Sequence, residues 1–181
     1  PQNPAISGID HRLSAGDSAE VLGRQFEVLE VPGHTLDHIA YFSAGEQPLL
    51  FCGDTLFAGG CGRVFEGTHP MMHASLQRLA ALPSSTRVYC AHEYTLANLA
   101  FASAVEPDNQ ALAERVAAAR ASRERDEPTV PSELGLELAT NPFVRCDTPE
   151  LQKSLKSQGK WREGETAEQV FATVRSWKDG F

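Results

Sequence analysis

A chain of 181 residues with 41% apolar and 22% charged residues suits one soluble globular domain, or one and a half. No apolar run approaches a membrane span and no secretory signal is visible. The formal charge of −8 excludes a general nucleic-acid or anionic-membrane surface, so an anionic substrate would need a local basic patch.

The first elements are short and β-rich. Residues 1–24 read as loop, punctuated by Gly8, Gly16 and Gly23. Gln25–Val31 alternates as a strand and stops at Pro32-Gly33. His38–Ser43 and Leu49–Cys52 read as two more strands, the second ending at Gly53-Asp54. The glycines of 58–62 require a tight, irregular loop. Met71–Leu82 has helical spacing through Met72, Leu76, Leu79 and Leu82, and Pro83 ends it. Arg87–Cys90 is an apolar strand that delivers His92 to its C-terminal end. Helices are expected over Thr95–Val105, Asn109–Arg125 and Ser132–Leu138, the last with Ser132 as its N-cap. Two more open at Thr148-Pro149 and at Thr166. The fold class is therefore α/β to about residue 94 and all-α afterwards, with domains expected at 1–94 and 95–181.

Three strand ends carry metal-ligating residues: His34 after Pro-Gly, Asp54 after Gly, and His92 after Cys-Ala. Two imidazoles and a carboxylate suit zinc or iron better than calcium or magnesium, which prefer oxygen shells. Asp54 follows a buried run, an expensive place for an unpaired carboxylate that a metal would neutralise. His38 could orient a ligand by hydrogen bond or play an ordinary structural part. His69 and His73 read as solvated residues at a helix start. The four cysteines, at 52, 61, 90 and 146, form no Cys-x-x-Cys pair, which argues against a zinc knuckle and for buried small side chains. A reduced, cytoplasmic setting follows.

The order Gly-His34-Thr, Gly-Asp54-Thr and Ala-His92-Glu-Tyr94 resembles the second half of a metallo-β-lactamase-fold hydrolase. That superfamily opens its metal site with a His-x-His-x-Asp-His cluster that is absent here, so the chain reads as the C-terminal half of the αββα sandwich followed by an all-α domain. The resemblance narrows further along. Gly-Asp54-Thr-Leu-Phe-Ala-Gly-Gly-Cys61-Gly-Arg63-Val-Phe65, Tyr-Cys-Ala-His92-Glu-Tyr94-Thr, Glu-Pro-Thr-Val-Pro-Ser at 127–132 and Asn-Pro-Phe at 141–143 resemble glyoxalase II, the hydroxyacylglutathione hydrolases. The resemblance implies hydrolysis of S-D-lactoylglutathione to D-lactate and glutathione at a binuclear site, with zinc expected first and iron or manganese as alternatives. In such a site Asp54 would bridge both metals, His34 would serve one and His92 the other, and a shared hydroxide would attack the thioester.

The same resemblance implies that Arg175 and Lys178, at i and i+3 on the last helix, hold a glutathione carboxylate. Arg63 and Tyr94 would also face the substrate. Phe65 stands where relatives can carry tyrosine, which keeps the ring and loses a hydroxyl. The partners implied are a glutathione thioester and a preceding segment of the same protein, in a monomer without nucleic acid or membrane. Two rivals stand beside this reading. One is an iron-dependent persulfide dioxygenase of related fold. The other is a non-catalytic fragment that needs its N-terminal half.

Overall fold

Residues 7–181 are described in the computed structural model. The first hairpin joins β1 (Ser18–Val21) to β2 (Arg24–Glu30). Its turn, Leu22-Gly23, has φ of 53° and 74°, the mirror-image geometry that matches strand twist. Leucine gives no sequence signal for such a turn, and the reading of 1–24 as loop therefore misses β1. The first six residues of that reading lie outside the described residues.

The chain continues through β3 (Ile39–Ser43), β4 (Leu49–Gly53) and a small hairpin of β5 (Leu56–Phe57) and β6 (Gly60–Cys61). That hairpin occupies the region expected to be irregular loop. Helix α1 (His69–Ala80) follows, with Thr68 accepting from the Met71 N–H as its cap. It buries Met72, Leu76 and Leu79 against the sheet. Then come β7 (Arg87–Cys90), α2 (Thr95–Val105) and α3 (Gln110–Glu124). The chain ends with β8 (Ser132–Glu133), α4 (Leu134–Thr140), α5 (Pro149–Ser157) and α6 (Ala167–Asp179), the last opened by a Thr166–Gln169 capping box.

Among the described residues the main sheet has the order β1-β2-β3-β4-β7-β8. Its β4–β7 pair is parallel, joined by the crossover through α1. Parallel pairing puts both C-terminal ends at the same edge, and Asp54 and His92 lie just past them. One sheet face packs on α1. The other carries Tyr41, Phe51 and Tyr89 opposite one another in register, with Phe51 41% exposed and stacked on Tyr89. No helix of the described residues is long and apolar enough to cross a membrane.

The division into an α/β part before residue 94 and an all-α part after it has one departure. Ser132–Glu133 returns to the sheet and pairs with Arg87–Val88. Ser132 is thus not a helix cap. Glu133 takes that position, and the Ser132 hydroxyl is buried against Glu137. The main core is also continuous across residue 94. It runs from Val31, Leu50 and Leu76 to Phe101, Phe143, Phe171 and Val174.

His73 differs from its solvated reading. It is 8% exposed, tilted against the Phe171 ring, and its Nε2 has no hydrogen-bond partner. Burial lowers its pKa, with Glu168 and Asp147 opposing. The unfolded chain therefore binds more protons than the folded one, and this stability term is lost as pH falls below about 6.5. Denaturation midpoints measured from pH 7 to pH 5 should fall more steeply in the parent protein than in His73→Phe. Parallel profiles would show that the ring titrates equally in both states.

Candidate metal and substrate site

Three turns place the candidate metal donors. Ser75 of α1 donates to the Pro32 carbonyl at 2.7 Å and fixes the bend that presents His34. Asp54 follows Gly53, whose φ is 54° and whose Cβ, if present, would lie 2.5 Å from the His38 ring. The Ala91 N–H donates to the Gly53 carbonyl at 3.0 Å and ties the His92 segment to the Asp54 segment.

The resulting geometry is a carboxylate between two imidazoles. His92 Nε2 lies 3.3 Å from Asp54 Oδ1, and His34 Nε2 lies 3.9 Å from Asp54 Oδ2. His34 Nδ1 is 2.9 Å from the Arg63 carbonyl. Nδ1 therefore carries the hydrogen, and a neutral ring turns its Nε2 lone pair towards a carboxylate. Two acceptors facing each other are completed by a cation between them, so the donor set fits a metal. Among the described residues no three His, Cys, Asp or Glu side chains close on one point tightly enough to hold an ion alone. The arrangement is two His–carboxylate pairs that share Asp54.

His38 is not a donor in this set. Its Nε2 accepts from the Asp54 N–H at 3.2 Å, and its Nδ1 lies 3.1 Å from the Ile39 carbonyl. Both ring nitrogens are committed to backbone. Burial lowers its pKa against the opposing pull of Asp54, which keeps the ring neutral and able to accept. The cysteines are free and three of the four are buried. Burial raises the Cys61 thiol to about 11 and raises the other three as well, so none is an activated nucleophile.

His34, Asp54, His92, Arg63, Phe65, Tyr94, Arg175 and Lys178 all line one cavity of about 540 Å³. Phe65 is exposed and its ring lies 5.0 Å from that of His34. Tyr94 stacks on His92 at 5.0 Å. Lys178 donates to the Ala97 carbonyl at 3.2 Å and lies over Phe101 and Phe181. Burial lowers its pKa, and Arg175 and Arg63 add to that.

Arg175 has a more structural setting than a surface clamp. It is 3% exposed, donates to the Cys61 carbonyl at 3.2 Å and to Asp179 at 2.9 Å, and lies over Phe143. Asp179, which the sequence reading passes over, stands between Arg175 and Arg63, 3.9 Å from the Arg63 Nε. Its only sequence signal is its i+4 spacing from Arg175. A second cavity of about 530 Å³ lies beside Glu106, Arg145 and Glu150, but Arg145 is already held twice by Glu106.

The mixed sheet with its strand-end histidines around Asp54 lies within the metallo-β-lactamase superfamily, whose family model matches residues 2–92. The solved structures of ETHE1 from Myxococcus xanthus and of a metallo-beta-lactamase from Staphylococcus aureus subsp. aureus COL share this fold. The first has a TM-score of 0.54 and 23% identity, covering 95% of this chain and 61% of that one. The second has a TM-score of 0.52 and 19% identity, covering 93% and 43%. The model described as "Hydroxyacylglutathione hydrolase C-terminus" matches residues 93–181. The hydroxyacylglutathione hydrolase of Pseudomonas aeruginosa (strain LESB58) is 59% identical over all of this chain and 70% of its own length. That of Chromohalobacter salexigens is 53% identical over the same shares. The chain belongs to the hydroxyacylglutathione hydrolase family of the metallo-β-lactamase superfamily.

Proposed function

We propose that the cavity hydrolyses S-2-hydroxyacylglutathiones, S-D-lactoylglutathione among them, to the 2-hydroxy acid and glutathione. Asp54, His34 and His92 would hold a binuclear metal centre, zinc by preference, with the Asp54 carboxylate shared between the two imidazoles. The two His–carboxylate pairs beside Arg63 and Lys178, in one cavity, carry this reading. Each ion needs about four ligands, so further donors from protein, water or substrate complete both shells. When bound, the ion pair lowers the pKa of water and polarises the thioester carbonyl.

The chain's own residues do the rest. The Arg63 carbonyl holds His34 in the tautomer that leaves Nε2 free. The His38 ring fixes the Asp54 backbone. Arg63 and Lys178 draw the carboxylates of the glutathione moiety, while Arg175 braces the Cys61 segment beneath them and adds charge. Tyr94 and Phe65 wall the acyl end. Four free cysteines suit a reducing compartment such as the cytoplasm.

Steady-state kinetics test the substrate. Lys178 acts away from the reacting thioester, so its contact is the same in ground and transition states. Lys178→Ala should raise KM for lactoylglutathione with little change in kcat. Loss of a charge-assisted hydrogen bond of about 1.5–3 kcal/mol predicts roughly a ten- to hundredfold rise. Arg175→Ala should also raise KM, and in addition lower thermal stability because the Cys61 carbonyl loses its donor. A small thioester lacking the peptide should barely notice Lys178→Ala. Equal losses on both substrates would remove the glutathione assignment.

A further inference from the structure

We infer that Asn141 is a positioning residue for the metal donors, acting through the segment 57–63, whose β5–β6 turn its amide clamps to α4. The inference rests on the metal reading above. Asn141 lies at the C-cap of α4, in the helical half, and is fully buried. The two hydrogens of its Nδ2 are shared among three acceptors, the Gly60 carbonyl at 3.0 Å, Glu137 at 3.0 Å and the Phe57 carbonyl at 3.3 Å. Its Oδ1 accepts from the Phe143 N–H at 3.1 Å, which fixes the amide's orientation. Glu137, also fully buried, accepts from the Gly59 N–H at 2.9 Å. Two polar side chains at zero exposure are thus spent on one four-residue stretch of backbone.

The residues that follow that stretch, Gly62 and Arg63, touch two of the three donors. The Gly62 N–H donates to the Thr55 carbonyl, and a Cβ on Gly62 would stand only 1.9 Å from the Asp54 carbonyl oxygen. The next residue, Arg63, supplies the carbonyl that holds His34 Nδ1. On its outer side the loop meets the Asn98 amide, which a Cβ on Gly60 would approach to 2.6 Å and which is held by its own bond to the Ala58 carbonyl at 3.2 Å. A loop packed on both sides transmits a displacement instead of absorbing it. Releasing the Asn141 clamp shifts the Arg63 carbonyl, and the His34 ring follows. Ligand-orienting hydrogen bonds of this kind commonly control metal affinity by about ten- to a hundredfold.

The test uses the full-length, metal-loaded enzyme and measures metal content during dialysis against a chelator, with kcat and KM beside it. Asn141→Ala should weaken metal retention about ten- to a hundredfold and lower kcat, while KM holds. Gly60→Ala, which pushes the loop from the Asn98 side and deletes no polar group, should do the same and decides the matter if Asn141→Ala does not fold. Leu155→Ala, a core deletion in α5 away from the loop, should lose thermal stability yet keep its metal. The inference is overturned if the loop variants retain metal and kcat at a temperature where they are folded, or if Leu155→Ala loses metal as they do. Asp54→Ala separates the two readings. If it keeps both ions, the metal assignment itself has failed; if it alone loses them, only the role of Asn141 has.

Discussion

Asp54→Ala should remove bound metal and hydrolysis together. The carboxylate lies between His92 at 3.3 Å and His34 at 3.9 Å, and no other described carboxylate shares that position. Two divalent cations about 3.5–4 Å apart repel by about 4 kcal/mol even at the dielectric constant of water, and by more in a cavity. A carboxylate shared by both ions, the role proposed for Asp54, would offset this repulsion, and its loss would favour release of at least one ion. Carried into the barrier, about 4 kcal/mol is about a thousandfold in kcat. Metal analysis and turnover on the same preparation check it. Two ions per chain with near-normal kcat would show that Asp54 is not the bridge.

Arg115→Met should be the most destabilising single change in the helical half. The Arg115 guanidinium donates to Glu137, Ser132 and Thr140, and the pair with Glu137 is buried on both sides. Removing one member of a buried pair leaves an uncompensated charge, at a cost of about 3–5 kcal/mol. For a chain of this length that is a fall of about 6–20 °C in melting temperature. The double change Arg115→Met with Glu137→Leu should not restore stability, although apolar replacement of a buried pair is frequently neutral. Glu137 also receives the Gly59 N–H and the Asn141 amide, and leucine would strand both donors. A double variant as stable as the parent would mean that these two contacts contribute nothing.

The parts of this molecule legible in its sequence are those with strong local chemistry. His34, Asp54 and His92 each end an apolar run, so a metal-ligating residue at a strand end stood out. Thr166 marks the opening of α6, as the structure has it. Strand β1 was hidden because Leu22 occupies a left-handed turn position that asparagine or glycine normally marks. Strand β8 is two residues long, and its pairing partner lies more than forty residues upstream, beyond the reach of any periodicity. Glu137 and Asn141 carry no local signal of their burial. Their buried partners belong to the β5–β6 hairpin, and only the fold brings them together. Arg175 shares a predicted face with Lys178, but helical spacing cannot show that Arg175 is buried against the Cys61 segment at the cavity wall while Lys178 is more open.

The unbroken core across residue 94 bears on redesign of the enzyme's acyl or peptide preference. A helical half borrowed from another hydrolase could not be grafted as a cassette. Its inner face would have to match α1 and the sheet side chain for side chain. Its asparagine and glutamate would also have to meet the recipient's glycine hairpin at hydrogen-bond distance. Transplanting residues 57–63 together with the helices keeps that seam intact. Specificity changes confined to Phe65, Tyr94 and Lys178, which face open cavity, avoid the seam altogether.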